Sequence, residues 1–174
     1  MNQVLVVDPL KCSGCRTCES ACSLIHFGES GTSKSVIRVI AFRHDVFFYP
    51  HVCHQCKKPY CAEACPVEAI VKNPENGVVE LDKGKCIGCK LCLEACPFGA
   101  MAMMEDGLAA KCDLCGGDPE CVKFCDYGAI RAGNADDISQ PKRMAEAQGI
   151  FAAIGNQPRK LFDTHKISTY GLEE

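Results

Sequence analysis

Apolar residues along this chain fall in short runs broken by glycine, proline and charge. Val4–Val7 and Val78–Leu81 read as strands, and Ser35–Ala41 and Val46–Tyr49 flank Phe42-Arg43-His44-Asp45 as the arms of a hairpin. Val7-Asp8-Pro-Leu-Lys-Cys12 mirrors Leu81-Asp82-Lys-Gly-Lys-Cys86, each a short strand running into a cysteine loop. Between cysteines the segments leave room only for single helical turns, expected after Cys15, Cys61, Cys89 and Cys121. Helical periodicity appears late. Ser139-Gln-Pro141 has the form of an N-cap with proline in the first turn, Met144, Ala147, Phe151 and Ile154 follow at helical spacing, and Gly155-Asn156 ends the run. The remaining tail has no clear period. Apolar runs such as Val46–Tyr49 are far too short to cross a bilayer, so no direct membrane insertion is expected. The pattern predicts a small α+β chain of short strands and helical turns, low in regular secondary structure, with a C-terminal helix and tail.

Repetition organises the rest. Cys61-AEA-Cys65-Pro-Val-Glu-Ala69-Ile70, Cys92-LEA-Cys96-Pro-Phe-Gly-Ala100-Met101 and Cys121-VKF-Cys125-Asp-Tyr-Gly-Ala129-Ile130 align without gaps. With the N-terminal segment they make four cysteine modules. Motif one is Cys12-x2-Cys15-x2-Cys18-x3-Cys22, and motif two is Cys53-x2-Cys56-x4-Cys61-x3-Cys65-Pro66. Motif three is Cys86-x2-Cys89-x2-Cys92-x3-Cys96-Pro97, and motif four is Cys112-x2-Cys115-x5-Cys121-x3-Cys125. Motifs one and three match the bacterial ferredoxin pattern, apart from the missing final proline of motif one.

Three cysteines two residues apart can wrap three iron corners of a cubane. The fourth starts a helical turn leading away, and in two-cluster ferredoxins it ligates the other cluster, so the motifs come in exchanging pairs. Pro66 and Pro97 remove an N–H and fix the chain direction after the fourth ligand. Structural zinc takes four ligands, usually from two separated pairs, and fits contiguous repeats of this kind poorly. Sixteen cysteines satisfy four [4Fe–4S] clusters with none left over. No open iron corner and no CxxxCxxC radical motif is implied, so the expectation is electron transfer with no catalytic residues in this chain. His26, His44, His51, His54 and His165 show no metal-ligand spacing; His54, between Cys53 and Cys56, is either a surface residue or a hydrogen-bond donor that tunes a cluster. Gly116-Gly117 only lengthens motif four, and no flavin or nicotinamide fingerprint occurs.

Composition supports this choice of metal. Of 174 residues, 16 are cysteine, a density that in a short secreted chain would signal a disulfide scaffold. Met1–Leu10 carries no basic n-region, long apolar core or twin-arginine signal. A cytoplasmic location is therefore expected, where thiols stay reduced and dense cysteine points to metal. The formal charge is −3, and each cluster with its four thiolates adds about −2. Lysine and arginine are scattered, which argues against a nucleic-acid partner. Lys11, Lys85 and Lys111 each precede a first-cysteine ligand. They are read either as offsets to cluster charge or as solvated surface residues.

The four motifs resemble the four-cluster ferredoxin subunits found beside molybdenum and tungsten enzymes, over roughly residues 4–132. The segments CSLIHFGESGTSKSVIRV and CHQCKKPYCAEACPVEAI are similar to small subunits that partner tungsten enzymes of the aldehyde oxidoreductase family. The resemblance implies two ferredoxin-like units: residues 1–50 and 105–134 form the outer one, residues 51–104 the inserted one, and 135–174 add the helix and tail. Carried over by position, one cluster uses Cys12, Cys15, Cys18 and Cys125, and its neighbour Cys112, Cys115, Cys121 and Cys22. The third uses Cys53, Cys56, Cys61 and Cys96, and the fourth Cys86, Cys89, Cys92 and Cys65, all four in a row. Asp126, where proline usually follows the last cysteine, departs from the pattern.

The implied role is an iron–sulfur subunit of anaerobic metabolism, linking a tungsten- or molybdenum-pterin catalytic subunit of the aldehyde-oxidising type to a flavin subunit or a soluble ferredoxin. Alternatives are the matching subunit of a benzoyl-coenzyme A reductase, or a polyferredoxin for hydrogenase, carbon monoxide dehydrogenase or formate dehydrogenase. The tail is read as a docking arm, for a partner or a second copy, or as cover for the chain's own core.

Overall fold

Each short apolar run finds a single partner strand. A computed structural model describes residues 3–42 and 46–135, all within a compact unit spanning Met1–Asp136; the expected C-terminal helix and tail lie outside the described residues. Four two-stranded antiparallel ladders form. The first joins β1 (Gln3–Val7) to β8 (Ile130–Asn134), with Gln3 opposite Asn134 and Val7 opposite Ile130. It brings motif one against motif four. The second is the expected hairpin, β2 (Arg38–Phe42) on β3 (Phe47–His51), with Phe42 opposite Phe47. Its first strand starts later than the sequence suggests, because Ser35 turns its hydroxyl back to the Ile37 carbonyl at 2.7 Å. The third pairs β4 (Ile70–Lys72) with β5 (Val79–Leu81), and the fourth pairs β6 (Ala102–Met103) with β7 (Ala109–Ala110).

Helical turns follow the cysteines as expected at α2 (Tyr60–Glu63), α3 (Leu91–Ala95) and α4 (Glu120–Lys123). The first helix corrects the sequence reading: α1 (Thr17–Phe27) runs 11 residues, not a single turn. No glycine or proline interrupts it before Gly28, which caps it at φ 72° with its N–H on the Leu24 carbonyl.

Two apolar cores result. Leu5, Ile37, Val39, Val52, Leu114 and Ile130 pack with Cys18 and Cys121 in one. Ile70, Val79 and Ala109 pack with Cys92 in the other. Val78 belongs to the first core and its neighbour Val79 to the second, since consecutive side chains at a strand point to opposite sides. No helix among the described residues is long and apolar enough to cross a membrane.

A buried carboxylate ties α1 to the hairpin. Glu19 is 2% exposed, and its Oε1 accepts the Val39 N–H at 2.7 Å. Its Oε2 makes no hydrogen bond, with Arg16 Nη1 3.9 Å away. Glu19→Ala strands a buried N–H and is expected to cost about 1–3 kcal/mol, read as a lower denaturant midpoint of the iron-loaded protein. An unchanged midpoint would mean the Val39 N–H finds another acceptor.

Candidate metal centres

The fold gathers the thiols of distant motifs. Cys12, Cys15 and Cys18 of motif one and Cys125 of motif four line one hollow. Cys112, Cys115 and Cys121 of motif four, with Cys22 of motif one, line a second. Cys86, Cys89 and Cys92 of motif three, with Cys65 of motif two, line a third. The thiols of Cys53, Cys56, Cys61 and Cys96 act on one another electrostatically.

Helix geometry explains the sharing between motifs one and four. Cys18 and Cys22 stand four residues apart on one face of α1, about 6 Å along its axis. Because α1 packs on α4, which carries Cys121, one residue faces each hollow of the outer unit.

The backbone makes the same turn in all four motifs. The residue before the second cysteine has positive φ each time: Gly14 at 75°, Gln55 at 47°, Gly88 at 67° and Leu114 at 57°. At Gly14 a Cβ would come within 2.6 Å of the Phe48 ring, and at Gly88 it would collide with the Gly107 carbonyl. Gln55 and Leu114 hold the turn despite their side chains, and both are fully buried. That left-handed turn is costly for non-glycine residues, so packing and hydrogen bonds must hold it in place. Farther along, the Ala69 N–H reaches Cys65 Sγ at 3.3 Å and the Ala100 N–H reaches Cys96 Sγ at 3.4 Å, at equivalent places in the repeat.

Protonation follows burial. Desolvation, then the Glu19 carboxylate and neighbouring thiols, pushes Cys18 up to about 12. Burial likewise lifts Cys112 to about 12 and Cys61 to about 11, and it raises Cys121 further. At Cys65 the burial effect is outweighed by the N–H groups of Val67, Ala69, Ile70 and Glu68, and the pKa falls. Cys15, exposed and hydrogen-bonded by Thr17, is lowered too. Buried thiols crowded in fours resist ionising, and a bound cation reverses that preference.

The 16 cysteines are all free. Four sulfur donors in a set suit zinc or iron–sulfur. Three thiols from one contiguous run with a fourth from another motif match the ligand sharing of cubanes in two-cluster ferredoxins, not the two separated cysteine pairs usual for zinc. The residues therefore fit a cubane cluster.

Among the lysines ahead of the motifs, the fold discriminates. Lys11 and Lys85 are exposed and lie 3.8 and 4.0 Å from Asp8 and Asp82, whereas Lys111 is 9% exposed, with Nζ 3.5 Å from Cys53 Sγ. His54 is exposed, its ring against Phe98. His26 is the histidine that sequence spacing did not reveal: its Nε2 lies 3.3 Å from Cys115 Sγ and 3.6 Å from Asp113 Oδ1. Only the length of α1 brings it there.

A family model for the 4Fe-4S dicluster domain matches residues 44–135, and one for a 4Fe-4S binding domain matches residues 9–28. The chain is 34% identical to the putative electron transport protein YsaA of Escherichia coli, over 80% of this chain and 95% of that one. It is 41% identical to the polyferredoxin-like subunit of an aliphatic sulfonate oxidoreductase of Pyrococcus furiosus, over 70% of each. It is 36% identical to the beta subunit of the NADH-dependent phenylglyoxylate dehydrogenase of Aromatoleum evansii, over 73% of this chain and 29% of that subunit.

Proposed function

The chain belongs to the 4Fe–4S dicluster family, and from that premise we propose that it is a non-catalytic electron-transfer subunit with four [4Fe–4S] clusters in a row. One observation carries this reading: the thiols assemble in fours, three from one motif and one from another, with no cysteine left over. The ligand sets are Cys12, Cys15, Cys18 and Cys125; Cys22, Cys112, Cys115 and Cys121; Cys53, Cys56, Cys61 and Cys96; and Cys65, Cys86, Cys89 and Cys92. Each cluster supplies reversible one-electron transfer when bound.

Electrostatic contacts between the sets support this order over the first three. Cys121 feels the charge of Cys18 as well as of its own set, which ties the first set to the second. Cys112 feels Cys53, which ties the second set to the third. Buried Leu114 and Val78 exclude water from this interior. The first and fourth sets keep the exposed thiols Cys15 and Cys89, so the two ends of the row face outward where other subunits can dock.

The partner in this proposal is a cytoplasmic tungsten-pterin enzyme of the aldehyde-oxidising type, with a flavin subunit or soluble ferredoxin at the opposite end. The likeness to a polyferredoxin-like subunit of one oxidoreductase and the beta subunit of another supports a multi-subunit setting. Anaerobic purification of the tagged chain from its own cells, with tungsten, molybdenum and flavin measured on the complex, tests this. A pterin enzyme containing tungsten is expected; recovery with a hydrogenase or carbon monoxide dehydrogenase subunit would overturn the choice of partner.

A further inference from the structure

One charged side chain lies in the interior between the outer and inserted units. Lys111 belongs to the outer unit, immediately before Cys112. Its Nζ donates to the Cys112 carbonyl at 2.8 Å and, across the boundary, to the Val79 carbonyl at 2.8 Å. Its remaining N–H is directed at Gln55 Oε1 at 3.3 Å and Cys53 Sγ at 3.5 Å. An ammonium has three donors and no acceptor, and this arrangement uses all three.

Gln55 closes the bridge. Its Nε2 donates to the Cys112 carbonyl at 2.8 Å, and its Oε1 accepts the Val79 N–H at 2.9 Å. The side chain is 1% exposed. Every acceptor around Lys111 is neutral or a thiol. No carboxylate pairs with it among the described residues, so its field reaches the sulfurs on both sides.

We propose that Lys111 is a fixed positive charge shared by the two clusters that flank the unit boundary, stabilising the extra electron at each and thereby setting both potentials. This rests on the ligand sets proposed above. Lys11 and Lys85 occupy equivalent places in motifs one and three, yet they lie near carboxylates and are exposed. The outer two clusters therefore lack such a charge from these positions. In a low-dielectric interior an uncompensated charge acts strongly over this range, and a cation favours the reduced, more negative cluster.

The test is an EPR-monitored redox titration of the iron-loaded chain as wild type, Lys111→Met, Lys111→Gln and Lys111→Arg, with Cys56→Ser and Cys115→Ser assigning the signals. Lys111→Met is expected to lower two of the four midpoints, each by about tenfold in the reduction equilibrium, which is 59 mV for one electron. Lys111→Arg should restore them, and Lys111→Gln, which keeps donors but not charge, should behave like Met. Loss of iron confined to the two flanking clusters in the Met and Gln variants, with Arg fully loaded, supports the proposal equally. Four unmoved midpoints, a uniform shift of all four, or iron lost evenly from every cluster overturns it. A wild-type chain with far fewer than about sixteen irons would instead overturn the ligand reading beneath it.

Discussion

Stripping iron and sulfide from the reduced chain is expected to abolish its cooperative fold. The regular structure among the described residues is four two-stranded ladders and helices of which only α1 exceeds five residues. Two-stranded ladders are marginal on their own in water. What should join them is the packing around the thiols: Cys18 and Cys121 lie within the first core, with Cys12, Cys22, Cys112 and Cys125 against it. The second core includes Cys92, with Cys61, Cys65 and Cys86 against it. These sulfurs line shared hollows with apolar side chains, and removing the clusters takes contacts from those side chains. Cluster binding energy is in that case folding energy. Far-UV circular dichroism of the iron-free, reductant-treated chain should show most of the ellipticity lost and no sharp thermal transition, with recovery on adding back iron and sulfide. A cooperative melt in the iron-free protein would show that the apolar core is sufficient alone.

The local chemistry was legible in the sequence because it is local. Sixteen cysteines at fixed spacing, alanine and a large apolar residue after the last cysteine of motifs two, three and four, and the hairpin around residues 42–47 all depend on neighbours within a few positions. What the spacing alone does not determine is which motif approaches which. That depends on β1 pairing with β8 at the two ends of the described chain, and only the likeness to known ferredoxins suggested it. The shared positive-φ turn was half visible, as glycine at 14 and 88. At Gln55 and Leu114 the same turn is disguised by side chains that the fold buries for other purposes, in the bridge to Lys111 and in the first core. Lys11, Lys85 and Lys111 look alike in sequence. They differ because Asp8 and Asp82 lie three residues before the first two, within 4.0 Å, while Lys111 follows buried Ala109 and Ala110. His26 needed the full length of α1, which a reading built on single helical turns did not anticipate.

The second large effect is expected from Cys121→Ala, and it should fall on one unit alone. Cys121 is a ligand of the second set in the proposed assignment. It is also buried in the first core, on α4 where that helix meets α1. Its thiol feels Cys18 of the first set as well as Cys112, Cys115 and Cys22 of its own. Removing it opens the second cluster and loosens the α1–α4 seam that positions Cys18 and Cys22 together. Iron should therefore drop from about sixteen to about eight per chain, not to twelve. Ile70, Val79, Cys92 and Ala109 form a core apart from the one that holds Cys121, so the third and fourth clusters of the proposed assignment should remain. Cys15→Ala is the matched control. Cys15 is exposed and lies outside both cores, so it should cost at most about four irons. Iron analysis gives the totals, and hydrogen exchange gives the location: amides of β1 and β8 should lose protection in Cys121→Ala while those of β4 and β5 keep theirs. Equal losses from the two variants, or exposure of β4 and β5 alongside β1 and β8, would mean that the two apolar cores do not hold independently and that loss of one ligand spreads through the described residues.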